Sequence, residues 1–564
     1  MKIVVYRLIH LSLVLLLMVG GVAHSANAPL RMRHAMVVSQ ETIASQVGAD
    51  IMKAGGNAMD GAIATAFALA VTHPSAGNIG GGGFLLYRPA QGEPVVYDFR
   101  ETAPQASRPD MWLVDGKYDA QRHHFSHLSV GVPGTVAGLH LAWREHGKLP
   151  WAQLLAPAIR LASQGFIVSD ELSTSLHEGM RRMQKYPAAN AQFSNNGKPF
   201  EQGERLVQKD LATTLELISR SGPDGFYKGR TAQLIVKEIQ SGGGVLSLKD
   251  LADYRPVVRA PLRGTYRGYE VLTVPPPSSA AAVIEMLNMF EGYDVGSMGF
   301  GTTATLHLMT EGMRRVFADR AHYLGDPGFN PDMPMQRLLS KEYAASLRTT
   351  INLQSASPSS PDSFDWPEES PQTTHLSVVD SARNAVSLTY TLESAYGSGI
   401  VAPGTGFLLN NEMGDFNAQP GLTNDQGLIG TSPNLAEPGK RMLSSMSPTI
   451  LTKDGGLFMV TGSPGGRTII NTVTQTILNV VDHNMNAQAA VDAGRIHHQW
   501  LPDTVYAEKF GFSEDSLSGL RSLGHQIAMR ESIGAAQVVV VNQKDGMLEG
   551  GADRRDADST VAGF

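Results

Sequence analysis

The sequence predicts a mixed α+β fold, and three features carry that expectation. Two Ala-rich stretches, Ala44–Ala54 and Ala58–Val71, are apolar almost all round and read as helices buried against something larger. Thr373–Val379 (TTHLSVV), a turn at Asp380–Asn384 and Ala385–Leu392 (AVSLTYTL) alternate and are rich in β-branched residues, the pattern of a hairpin. Gly462–Gly466 (GSPGG) runs into the apolar-periodic Arg467–Val481, which places a glycine-rich loop at a helix N-terminus.

The remaining elements follow along the chain. Gly80–Gly83 before Phe84–Tyr87 reads as a close backbone approach into a strand. Trp151–Gln164 and Arg205–Ser219 have the spacing of amphipathic helices. Pro275–Ser279 (PPPSS) opens a further helix near Ala280–Met289, since Pro and Ser suit helix starts. Ser355–Pro371 is rich in Ser, Pro and acids without periodicity, and reads as an exposed connector. It meets the hairpin abruptly, the juxtaposition a processing site needs. No solenoid-type repeat is present.

Composition removes several classes of function. With no cysteine, thiol nucleophiles, Cys-ligated zinc, Fe–S clusters and disulfides are excluded, so covalent chemistry must use Ser, Thr, Lys or a carboxylate. A net charge of −7 without a basic stripe argues against nucleic acid as a partner. The length allows one large α/β domain or about three ordinary ones.

The N-terminus has the order of a signal peptide: Lys2 and Arg7, the apolar run Leu11–Val19, then small residues through Ala28. Cleavage after Ser25 or Ala28 is expected. An uncleaved membrane anchor is the alternative, for which the run is short. The expected product is an exported protein, periplasmic or secreted, with no stable membrane span.

A threonine hydroxyl is a poor nucleophile unless a base adjoins it. An N-terminal threonine supplies its own α-amine, whose ordinary pKa is about 7.7–8.0. A cut between Gln372 and Thr373 would free that amine at the start of the hairpin. Two β-formers on a strand edge are the plain alternative.

The run Thr373–Asp380 (TTHLSVVD), with Thr389-Tyr390-Thr391 beyond it, resembles the small-subunit start of the γ-glutamyltransferases. The likeness continues in order through Gly55–Asp60, Thr72–Phe84, Asp98–Pro104, Val132–Gly138, Pro275–Ser279, Leu408–Glu412, Asp415-Phe416, Leu443–Thr449 (LSSMSPT) and Gly462–Gly466. It implies an N-terminal-nucleophile hydrolase with a four-layer αββα sandwich. It also implies a precursor that cuts itself into a large piece, 29–372, and a small catalytic piece, 373–564, which stay together as a heterodimer and one structural unit.

The resemblance assigns roles residue by residue. Thr373 is similar to the nucleophile and Thr391 to the residue that hydrogen-bonds its hydroxyl, with Thr389 on the same strand face in support. Arg100, Ser444 and Ser445 match the set that binds the substrate's carboxylate. A guanidinium fork suits that task; the plain alternative for Arg100 is a surface salt bridge to Glu101. Glu393, Glu412 and Asp415 match the ammonium-binding positions, where many members carry amides at the first two. Without a bound cation these acids raise one another's pKa. Gly465 and Gly466 match the oxyanion-binding pair, whose position before a helix adds a positive dipole end. No Lys-Ser/Thr follows, so the loop is not a P-loop.

The implied reaction is acyl transfer from glutathione and other γ-glutamyl compounds to water or to amino-acid and peptide acceptors, through an ester on Thr373. No cofactor and no metal are expected: His123, His124 and His127, and the pair His497-His498, are read as structural because neighbours do not share a face. Three departures stand out. Gln426, in the lid-like Pro420–Lys440, replaces an aromatic residue and is expected to leave the pocket more open; Met442 replaces a proline; Ala280 and Ala281 replace glycines. The competing functions are a cephalosporin (glutaryl) acylase on the same fold and a non-catalytic exported binding protein.

Overall fold

A computed structural model of the chain describes residues 27–359, 373–419, 421 and 431–564. The signal-like segment, Gln372 and Gln426 lie outside the described residues. Fourteen strands build two sheets: β1 Leu30–Met32, β2 Met36–Ser39, β3 Gly82–Arg88, β4 Val95–Asp98, β5 Val257–Arg259, β6 Leu262–Tyr266, β7 Tyr269–Thr273, β8 Thr373–Val379, β9 Ala385–Thr391, β10 Thr449–Lys453, β11 Gly456–Gly462, β12 Gln537–Val541, β13 Leu548–Ala552 and β14 Thr560–Gly563. The helices that matter here are α1 Thr42–Lys53, α2 Ala58–Thr72, α3 Trp151–Gln164, α4 Asp170–Met183, α5 Ala281–Phe290, α6 Thr303–Tyr323 and α7 Thr468–Val481.

The first sheet runs β5-β4-β3-β9-β8-β2-β14 and the second β1-β13-β12-β11-β10-β7-β6, antiparallel throughout. α1 and α2 cover the outer face of the first sheet, with α3 packed on α2, and α5 and α7 cover the second, while β8 and β9 face β11 and β12 across the middle. The result is the four-layer αββα sandwich expected from the resemblance.

Strand alternation sorts the core. Val37, Leu85, Leu376, Val378, Val386 and Leu388 point to the helical layer of α1 and α2; Met36, Val38, Phe84 and Leu86 point to the second sheet. α2 begins at a capping box made by Asn57 and Asp60 and is buried along its whole length, which is why its sequence is apolar all round. It packs so closely on α1 that a Cβ on Gly48 would lie 2.1 Å from Thr65 Oγ1.

Several predicted limits shift. Arg205–Ser219 is not one helix: Arg205–Leu206 pairs with Phe166–Ile167, and the helix is Lys209–Ser221. The short strand wins because Gln208, buried, spends its backbone N–H on Ala162 O and its amide on Val71 O before the helix starts.

Candidate active site

The hairpin β8–β9 carries apolar residues toward the helices and hydroxyl-bearing ones toward the second sheet. Thr373 is the first residue of β8, buried, and lies opposite Thr391 in the register. The two hydroxyls are 3.4 Å apart, and Thr391 Oγ1 also accepts the backbone N–H of Glu393 at 2.8 Å. Glu393 itself has φ +77°, a left-handed backbone that costs a non-glycine residue about 1–3 kcal/mol and clusters at functional sites.

Thr373, Thr391, Arg100, Glu393, Glu412, Asp415, Ser444, Ser445 and Gly466 line one small pocket, with free space of about 20 Å³, room for about one water. Arg100 is fully buried. Its guanidinium pairs with Glu412 and Asp415, lies 3.4 Å from Glu101, and gives Nε to Met442 O at 3.4 Å. The surface salt bridge considered for Arg100 is therefore overturned: Glu101 is as deeply buried as its neighbour. Met442 acts here through its carbonyl, which a proline would also offer.

Burial disfavours the charge on Arg100, but the carboxylates of Glu412, Asp415 and Glu101 outweigh it and raise its pKa. Burial also pushes the Glu412 carboxyl well up, with Glu101, Asp415 and Glu393 adding to the effect and Arg100 opposing it. Glu101 is pushed up to about 8 by burial, again against Arg100. The pocket thus carries more carboxyl groups than its single guanidinium neutralises.

The PPPSS motif holds the serine pair in place. Ser444 N donates to Pro277 O at 2.7 Å, Ser279 Oγ to Ser444 O at 2.7 Å, and Ser278 Oγ to Met446 O at 2.9 Å. Arg320 of α6 reaches both Ser279 Oγ and Ser445 Oγ. Ala280 sits at a helical φ of −68°, so the missing glycines are not needed. At the loop before α7, Gly465 has φ +129° and Gly466 +55°. Gly466 faces the pocket, whereas Gly465 lines an adjoining cavity.

Residues 44–563 match the family model described as gamma-glutamyltranspeptidase. The chain belongs to that family. It is 46% identical over 550 residues to the glutathione hydrolase proenzyme of Escherichia coli K12, covering 96% of this chain and 94% of that one. Among solved structures, cephalosporin acylase from Bacillus halodurans superposes with a TM-score of 0.84 at 29% identity, covering 97% and 98% of the two chains. Helicobacter pylori gamma-glutamyltranspeptidase gives 0.56 at 38% identity, covering 59% of this chain and 94% of that one.

For a gamma-glutamyltranspeptidase of this sequence, three features escaped the reading of the residues. Thr389 does not touch Thr373; its hydroxyl is 2.7 Å from His375 Nδ1. Ser377 Oγ donates to Gln537 O, so it accepts from His375 Nε2, and in a neutral ring Nδ1 then accepts from Thr389 Oγ1. Burial holds the pKa of this imidazole down to about 3, which keeps it neutral on the same strand as Thr373. His375 packs on Gly462, where a Cβ would come within 2.2 Å of the ring.

His124 meets Glu393 at 3.2 Å, while His123 turns to Met413 O and Tyr118, as expected of neighbours on different faces. His127 pairs with Glu238, and His497 and His498 bind Asn471 and Asp503. His307, Glu311 and His525 bring ligand atoms within 4.8 Å of one another. The two rings bond each other at 2.7 Å, however, and Glu311 is committed to Arg314 and Arg315, two cations that oppose a bound metal. Only the alternation of the hairpin hinted at His375; nothing in the sequence pointed to the contact between His124 and Glu393.

Proposed function

We propose that the chain is an exported, self-processing enzyme that cleaves the γ-glutamyl amide of glutathione and related compounds and passes the acyl group to water or to an amino-acid or peptide amine. The observation that carries this reading is the position of Thr373: first residue of a buried strand, in one pocket with Arg100, three carboxylates, two serines and Gly466.

A cut between Gln372 and Thr373 gives pieces 29–372 and 373–564 and frees the α-amine. The amine takes the proton of Thr373 Oγ as that oxygen attacks the γ-carbonyl, and returns it to the leaving nitrogen as the C–N bond breaks. Backbone N–H groups at Gly465 and Gly466 receive the developing oxyanion, Thr391 orients the hydroxyl, and water or an amine then opens the ester. The substrate's α-carboxylate and α-ammonium insert into the internal ion pairs: the carboxylate takes Arg100 with Ser444 and Ser445, and the ammonium takes Glu393, Glu412 and Asp415. The excess of carboxyl groups in the pocket supports that exchange, because a bound cation relieves it.

The purified protein should run as two bands on a denaturing gel, the smaller beginning at Thr373. Thr373→Ala should run as one band and release nothing from γ-glutamyl-p-nitroanilide. Cleavage and turnover in that variant would overturn the reading. The likeness to a cephalosporin acylase raises glutaryl amides as the rival substrate. A glutaryl group leaves Glu393, Glu412 and Asp415 without their cation, so the γ-glutamyl anilide should be favoured by about 100-fold or more in kcat/KM. Preference for the glutaryl anilide would reverse the assignment.

A further inference from the structure

The acids of the pocket around Thr373 are braced by a short helix far upstream in the chain. Glu412 and Asp415 lie on one 3₁₀ turn, Glu412–Asp415, and Glu393 on the loop after β9. The helix Ala120–His124 packs on that turn. His123 Nε2 donates to Met413 O at 3.0 Å, and burial, with His124 beside it, holds the pKa of this imidazole well below its ordinary value. His124 passes Gly414 to reach Glu393, its Nδ1 3.2 Å from Oε1. A Cβ on Gly414 would come within 2.4 Å of that nitrogen and 3.2 Å of that oxygen, so the bare glycine leaves the gap in which they meet.

An ionised carboxylate only accepts, with about four lone-pair sites to fill. At Glu393 three of them are taken. Oε2 accepts from Ser394 Oγ at 2.7 Å and from the amide of Asn411. Oε1 accepts from Nδ1–H of His124. The site that remains is also on Oε1, and Glu393 lines the pocket beside Thr373. The loop behind it is fixed as well: Arg182, over the Phe125 ring at 4.1 Å, donates to Ala395 O at 3.0 Å and to Gly397 O.

We propose that His124 is a positioning residue for the donor. By filling one site of Oε1 and stopping the carboxylate from turning, it aims the remaining lone pair of Glu393 at the donor's α-ammonium, and so sharpens the preference for donors that carry one. The inference rests on the γ-glutamyl reading above and adds a specificity-determining residue from the piece that does not carry the nucleophile. The role lies in recognition and leaves the chemistry at Thr373 to other groups.

The test uses the processed enzyme with two donors: γ-glutamyl-p-nitroanilide, and glutaryl-p-nitroanilide, which lacks the ammonium and is assayed at raised enzyme concentration. His124→Leu keeps most of the bulk and loses the N–H. It should raise KM for the γ-glutamyl anilide about ten-fold with kcat within about two-fold, and leave kcat/KM for the glutaryl anilide within about two-fold. His124→Asn, whose amide can stand where Nδ1 stood, should bring KM back to within about three-fold of the parent. The His124 side chain is 16% exposed; should leucine there prevent processing, His124→Ser, too short to reach Oε1, makes the same comparison. Equal losses toward the two donors, a fall in kcat with KM unmoved, or a KM that asparagine does not recover would overturn the role. An unsubstituted enzyme that turns over no γ-glutamyl donor would sink the underlying reading as well, whereas a normal parent matched by all the variants sinks the positioning role alone.

Discussion

Two cavities meet at one glycine-rich loop, and they are built on opposite plans. The pocket around Thr373 is small and internally paired, with Arg100 already held by Glu412 and Asp415. The cavity beyond Gly465 is roomy, and its acids and Arg530 line its walls. The first holds its ionic groups against one another around about 20 Å³ of free space; the second leaves about 330 Å³ between its walls.

The strongest way to break the comparison is at the small pocket. Arg100→Met should cut kcat/KM for γ-glutamyl donors by about 1,000-fold or more and, by stranding buried acids, lower unfolding free energy by about 3–5 kcal/mol. Steady-state kinetics and a urea midpoint check both; a mild effect would mean the ion pairs are not the recognition device.

The shared loop should damage both sides at once. At Gly465, φ +129° and a Cβ that would lie 2.4 Å from Thr468 Oγ1 leave no room for alanine. Gly465→Ala should raise the barrier by about 2.7–4 kcal/mol for hydrolysis and transfer alike. Loss of transfer with hydrolysis intact would overturn the oxyanion role proposed for Gly465.

Acid sharpens the comparison from the strand that carries Thr373. His375 has a folded pKa of about 3 against an ordinary 6.5. Its contribution to stability is therefore complete above pH 6.5 and is lost as pH falls toward 3, by about 3 kcal/mol at pH 4. His375→Asn should flatten that acid limb between urea titrations at pH 7 and pH 4; an unchanged slope would refute the neutral-imidazole assignment. The smallest effect is expected for Thr389→Val, which strands Nδ1 of His375: a loss of about 1–3 kcal/mol in stability, with kcat within about ten-fold of the parent.

Local pattern made the hairpin legible almost to the residue, because alternation and β-branching coincide there, and α2 and α3 were readable for similar reasons of period. Family motifs brought the pocket residues together. What no motif carried was their mutual contact. Arg100 and Glu412 stand 312 positions apart, and whether Glu101 is exposed or buried depends on packing that no local window encodes. His375 and, in the wall of the larger cavity, Asp556 were missed for the same reason: their partners, Thr389 and Gln40, stand 14 and 516 positions away in the chain.

The order of strands has a consequence for the life of the mature enzyme. In the first sheet β8, β9 and β14 alternate with β2 and β3, and in the second β1 and the β6–β7 pair flank four strands from beyond residue 372. Once the peptide is cut, neither sheet can be completed by one fragment alone: each needs strands from both. Activity recovered after denaturation should then depend on protein concentration, because reassembly becomes a meeting of two molecules where the precursor needed only one.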